Sequence, residues 1–200
     1  LIKAATTGTI TASISGTANA LTSLDTVGTD AITMTVAAGT VAAADLATID
    51  GKTNVAVAAN AVTKITGSDT EVLAALTADG NGTLVIDTDF NTDVSGDLTV
   101  ANAKTIAQAT TGTVDFTGTI TDSMANMLNG DESAISTAFA AVTNGTSSSD
   151  GDGGVAVTVN AGTLTVAKLN LIKAATTGQI TAAISGTANA LTSLDTVGTD

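Results

Sequence analysis

The chain has 200 residues, a formal net charge of −13 and 44% hydrophobic residues at a mean hydropathy of +0.39, which is too apolar for a disordered polyelectrolyte. It contains no Cys, which excludes a disulfide framework and a thiolate metal site, and no Arg beside its six Lys, which speaks against nucleic-acid binding. With no His, a Ser or Thr nucleophile would lack its usual base, and with only Phe90, Phe116 and Phe139 as aromatics the core must be built from small and β-branched side chains.

Taken from the N-terminus, alternating Thr/Ser and apolar residues predict strands over 8–14 and 31–36. Gly39 then opens GTVAAADLATIDGKTNVAV, where Leu46 and Ile49 at i, i+3 predict one face of a short helix. A polar turn, DGKTN, leads to a predicted strand over 55–65. Ser68 with Glu71 three residues later reads as a capping box starting a helix. A strand is expected over 84–90. Gly96 opens GDLTVANAKTIAQATTGTVDF, with Ala103 and Ile106 repeating the helical spacing. The turn ATTG at 109–112 leads to a strand over 113–120, and TGTITDSM at 117–124 reads as the next helix start. Residues 123–154 interrupt the regularity with two short helices and the loop TSSSDGDGG, an insertion expected to project as a lateral, partner-binding surface. After a strand over 155–159, Gly162, Leu164, Leu169 and Ile172 repeat the pattern. ATTG at 175–178, a strand over 179–185 and a helix start in SGTANAL (185–191) complete the series.

These elements recur. Residues 1–30 return as 171–200 with two changes, Thr9 against Gln179 and Ser13 against Ala183. A period of 170 residues therefore comprises 1–170, with sub-units near 1–30, 31–80, 81–154 and 155–170. Residues 171–200 begin the next period, as expected of a window onto a tandem array. Six strands per period give about 28 residues per strand–helix unit, close to the coil length of known solenoid repeats. The expected fold is α/β: a repetitive, strand-rich β/α solenoid of short parallel strands alternating with short helices. A doubly wound α/β sheet or a pure parallel β-helix are the alternatives.

Chemistry-bearing patterns are few. DTDFNTDVSGD sets oxygen ligands at Asp87, Asp89, Asn91 and Asp93, the alternation of the first half of a calcium loop. Thr92 stands where the turn Gly belongs and Leu98 where the bidentate Glu belongs. If the segment is extended, the same spacing only places four polar groups on a solvent face. Asp150 and Asp152 form a second, weaker cation pattern. Calcium is the one cofactor these patterns would take, and none is required. Rows of Thr (Thr7, Thr9 and Thr11; Thr117, Thr119 and Thr121) would line a strand face, where Thr is a good solvated-strand residue and, on a flat array, an ice-binding one. Asn81 and Asn144 fit the N-glycosylation pattern.

VAAADLATIDGKTNVAVAANAVTKITGSDTEV (41–72), with the near-copy LIKAATTG…LTSLDTVGTD, resembles the Thr/Ala/Asp-rich, Cys-free acidic repeats of giant bacterial secreted and cell-surface proteins, of the cyanobacterial and aquatic type. The resemblance implies an extracellular, non-enzymatic structural segment of a surface filament or matrix, whose partners are neighbouring repeats. The alternative is a calcium-stabilised adhesin module that binds a surface or polysaccharide. No apolar run has the length of a membrane span.

Overall fold

The computed structural model describes residues 5–143 and 154–192, and the chain forms two compact units. The first comprises Leu1–Asp93 with Ala109–Gly112, the second Val94–Gln108 with Thr113–Asp200. The class is α/β with parallel sheets and alternating strands and helices.

In the first unit the order is β1 (Thr11–Gly16), α1 (Ala18–Thr22), β2 (Ala31–Val36), β3 (Gly39–Ala42), α2 (Ala43–Asp50), β4 (Val57–Ala58), β5 (Val62–Ser68), α3 (Asp69–Gly80) and β6 (Leu84–Val85). The next strand, β7 (Asn91–Ser95), starts in this unit. One sheet has the order β1-β2-β4-β6, all parallel, and β3 pairs parallel with β5. Helices α1 and α3 both pack on α2.

The second unit holds α4 (Val100–Ala109), β8 (Val114–Phe116), β9 (Thr119–Ser123), α5 (Met124–Met127), α6 (Thr137–Thr143), β10 (Ala156–Ala161), α7 (Val166–Ala175), β11 (Ile180–Thr181) and α8 (Ala188–Leu191). Its parallel sheet has the order β9-β10-β11.

The aligned sequence pattern is a core pattern. Val41, Leu46 and Ile49, then Leu98, Ala103 and Ile106, then Leu164, Leu169 and Ile172 are all buried. Each large member contributes on the order of 1.5–3 kcal/mol by leaving water. The Gly that opens each stretch has positive φ: 137° at Gly39, 83° at Gly96 and 93° at Gly162. A side chain there would meet its own backbone, so Gly makes the corner that follows β2, β7 and β10. Alternation also holds: Ile32, Met34 and Val36 on β2 are fully buried, while Thr33 and Thr35 are exposed. The capping box of α3 forms as expected, with Ser68 Oγ accepting from Glu71 N and Glu71 Oε2 accepting from Ser68 N at 2.9 Å.

Several sequence expectations need correction. The segment 55–65 is two strands, because a turn in which Val62 N donates to Ala59 O separates β4 from β5. Likewise 113–120 splits into β8 and β9 at Thr117–Gly118, and 84–90 is a strand only at β6. The strand expected over 8–14 lies at 11–16, and that over 179–185 is reduced to β11 and an isolated parallel bridge from Ile184 to Leu164. Strand β3 has no counterpart among the expected elements, whereas the helix start expected in TGTITDSM is present: β-branched Thr119, Ile120 and Thr121 form β9, which runs to Ser123, the N-cap of α5 at Met124. The spacing between paired strands is not a uniform 28 residues. Thr11 pairs with Ala31 and Val157 with Ile180, at separations of 20 and 23 residues. Where the intervening connection is longer, the separation grows, to 27 for Val57 and Leu84 and to 37 for Thr119 and Ala156.

Candidate functional site

The cation pattern does not close into a cage. Asp87 and Asp89 are exposed in the turn after β6, and Asp87 Oδ1 accepts from Thr88 N at 2.9 Å. Asn91 and Asp93 lie in β7 on its partly exposed face, while Thr92 and Val94 point inward. Asp93 is engaged by Lys64 from β5 at 2.5 Å, an ammonium where a metal ion would otherwise be attracted. Among the described residues, no group of three or more acidic side chains converges in a way that could hold a metal ion. Asp150, Asp152 and Asn144 lie outside the described residues. Asn81 is exposed at the C-terminus of α3.

What the fold does assemble is a set of buried corner hydroxyls that the sequence patterns above do not single out. Thr53, Thr110 and Thr176 each stand four residues after the core Ile of the preceding helix (Ile49, Ile106, Ile172), and each is 6–7% exposed. Thr53 Oγ1 donates to Ile32 O at 2.7 Å and accepts from Ile32 N and Val55 N at 3.0 and 3.1 Å. Thr110 Oγ1 donates to Phe90 O and accepts from Gly112 N. Thr176 Oγ1 donates to Val155 O at 2.7 Å and accepts from Gly178 N at 3.0 Å. In each case the hydroxyl ties a corner to backbone 20–21 residues earlier in sequence.

Such a bond satisfies backbone groups that the curving strand leaves unpaired, at a net gain near 1 kcal/mol each. Asp30 does the same at the preceding corner. It is fully buried, with Oδ1 accepting from Ile10 N at 3.0 Å and Oδ2 from Val27 N at 3.1 Å. In the second unit Asp122, 8% exposed, accepts from Val100 N, Ser123 N and Asn126 Nδ2. The sequence signal is present: Ile-x3-Thr occurs at all three Thr corners.

Close backbone approach accompanies these corners. A Cβ on Gly112 would lie 2.2 Å from Phe90 O, one on Gly178 2.3 Å from Val155 O, and one on Gly118 1.8 Å from Gly96 O.

Of the expected Thr rows, Thr119 and Thr121 share the outward face of β9 with Thr117 exposed just before it, whereas Thr7 and Thr9 precede β1. Thr7, Thr9 and Thr11 are exposed along one chain segment. The cross-strand row is Thr121, Thr158 and Thr181, which sit in register across β9, β10 and β11. The described part of the insertion, residues 123–143, is tethered: Phe139 and Val142 of α6 are fully buried, and Glu132 pairs with Lys168 of α7. Its turn is held by Asp131 Oδ1, which accepts from Ser133 Oγ at 2.6 Å and Ser133 N at 3.2 Å, so that the Asp131 carboxyl titrates below its ordinary value.

No helix among the described residues is long and apolar enough to cross a membrane. Compared with known proteins, the chain matches no family model, no curated protein and no solved structure.

Proposed function

We propose that the chain is a structural repeat segment of a giant extracellular protein, forming a surface filament or matrix without catalysis. Its architecture is read as a β/α solenoid in which each turn of the chain lays its strands parallel to those of the previous turn. The observation that carries this reading is the recurrence, in both units, of parallel pairing and corner bonds between residues 20–23 positions apart. Each coil then touches only its neighbours, so length is added without altering the existing core. The acidic, Arg-free composition keeps such a fibre soluble. The partners on this reading are neighbouring repeats, and the location is the cell surface.

Electron microscopy of the native material tests the proposal. Long unbranched fibres are the expected result, and compact particles the size of 200 residues would refute it. The alternative, a calcium-stabilised adhesin module binding a surface or polysaccharide, draws on Asp87, Asp89, Asn91 and Asp93 alone. It requires a melting temperature that rises with calcium and falls back with EDTA.

A further inference from the structure

The near-identical segments 5–22 and 175–192 are the same sequence in two surroundings, and their burial differs in a complementary way. In the first copy β1 pairs along its whole length with β2, and α1 packs on α2. Leu21 is accordingly 1% exposed and Ala18 is buried. In the second copy the equivalent Leu191 is 39% exposed, Ile184 is 36% exposed, and Ala188 is also exposed.

The other edge shows the reverse. Thr176, Gly178 and Ile180 of the second copy are buried against the segment that precedes them, with Thr176 Oγ1 bonded to Val155 O. The counterparts of the first two, Thr6 and Gly8 in the first copy, are exposed. The two positions at which the copies differ, 9/179 and 13/183, are exposed in both, so every apolar contact residue is retained.

From this we propose that the bare face carrying Ile184, Ala188 and Leu191 is an acceptor for one segment: a stretch with the sequence of residues 31–58 joined behind Asp200, as a tandem array supplies it. The inference deepens the structural-repeat reading and rests on it. The occupant is fixed by the first copy, where residues 31–58 already lie against the equivalent elements: β2 pairs with β1 and packs with α1, α2 packs on α1, and β4 continues the sheet beyond β2. Ile32, Met34, Leu46 and Ile49 of that segment are fully buried when it is docked. An unrelated coil would have to reproduce both the six-residue parallel register on β1 and the apolar contact beneath α1.

The chain contains no Cys, so single thiols report the contact directly. Leu191→Cys and, separately, Ala188→Cys are placed in the 200-residue chain. Each is also placed in the same chain extended behind Asp200 by residues 31–58, and by a scrambled version of that segment. Reaction with a thiol reagent is expected to slow at least tenfold with the cognate extension and to be unchanged with the scrambled one. Equal labelling with both extensions, at either position in a chain that keeps its circular dichroism spectrum, overturns the inference. The fibre reading is judged separately by imaging, so compact particles together with cognate-only protection would refute the fibre and leave the joint standing.

Discussion

Replacing Thr53 by Val keeps the shape of the side chain and removes only its hydroxyl. In the native corner that oxygen donates to Ile32 O at 2.7 Å and accepts from Ile32 N at 3.0 Å and Val55 N at 3.1 Å, all at a residue 7% exposed. Val leaves these backbone groups without their partner in a place water barely reaches. A buried group left unsatisfied costs about 1–3 kcal/mol. Since part of the Ile32 pairing relaxes toward neighbouring strands, the expected loss is about 2–4 kcal/mol, a large share of the roughly 5–15 kcal/mol stability of an ordinary domain.

Thr53→Ser keeps the hydroxyl and deletes one methyl, so its loss should stay near 1 kcal/mol. Thr6→Val supplies an internal control: Thr6 is the exposed counterpart of Thr176 and, among the described residues, its Oγ1 accepts from Gly8 N at 3.0 Å. It should change stability by less than about 0.5 kcal/mol. Urea unfolding followed by far-ultraviolet circular dichroism reads all three, since the chain has no Trp or Tyr. A Thr53→Val loss below about 0.5 kcal/mol, or a Thr53→Ser loss exceeding that of Thr53→Val, would refute the corner-bond reasoning.

Gly118→Ala places a methyl 1.8 Å from Gly96 O, so thermal melting should show a loss of several kcal/mol, whereas Gly39→Ala, with φ 137° but open space around it, should cost only about 1–3 kcal/mol of backbone strain. Ser68→Ala removes the N-cap of α3 and should cost about 1 kcal/mol in the same melts. The Asp131 carboxyl lies below its ordinary 3.8 chiefly because of the Ser133 hydroxyl. A depressed folded value means that its contribution is present above 3.8 and lost as pH falls through the folded value, so Ser133→Ala should raise the Asp131 titration midpoint observed by NMR. Lys64→Ala should cost at most about 1 kcal/mol, since both partners of the Lys64–Asp93 pair are partly exposed, and a larger loss in urea unfolding would show the pair to be less solvent-screened than its exposure indicates.

The sequence alone determined the composition of the core and its phasing. Gly39, Gly96 and Gly162 with their following Leu, Val and Ile positions align by spacing, and all of those apolar residues are buried, because helical and strand periods leave one face for the core. The capping box at Ser68 is equally plain, since its bonds are local. The near-copy of residues 1–30 marks the 170-residue period by itself.

Tertiary structure decided what depended on residues distant in sequence. Runs that read as single strands break in two because the chain turns between sheets at Ala59–Val62 and at Thr117–Gly118, where a lone Asn60 or Gly118 inside an alternating run gives only a weak local turn signal. The polar groups at Asp87, Asp89, Asn91 and Asp93 share a calcium-loop spacing, but an extended β7 sets its ligands in line, and Lys64 from another strand engages Asp93. The buried corner threonines look like ordinary turn residues in the sequence. Their role appears only when backbone 20–21 residues earlier comes within hydrogen-bonding distance. The same separation of local from distant explains the repeated ends: one sequence caps its short helix alike in both copies, and its burial is set by which neighbour lies against it.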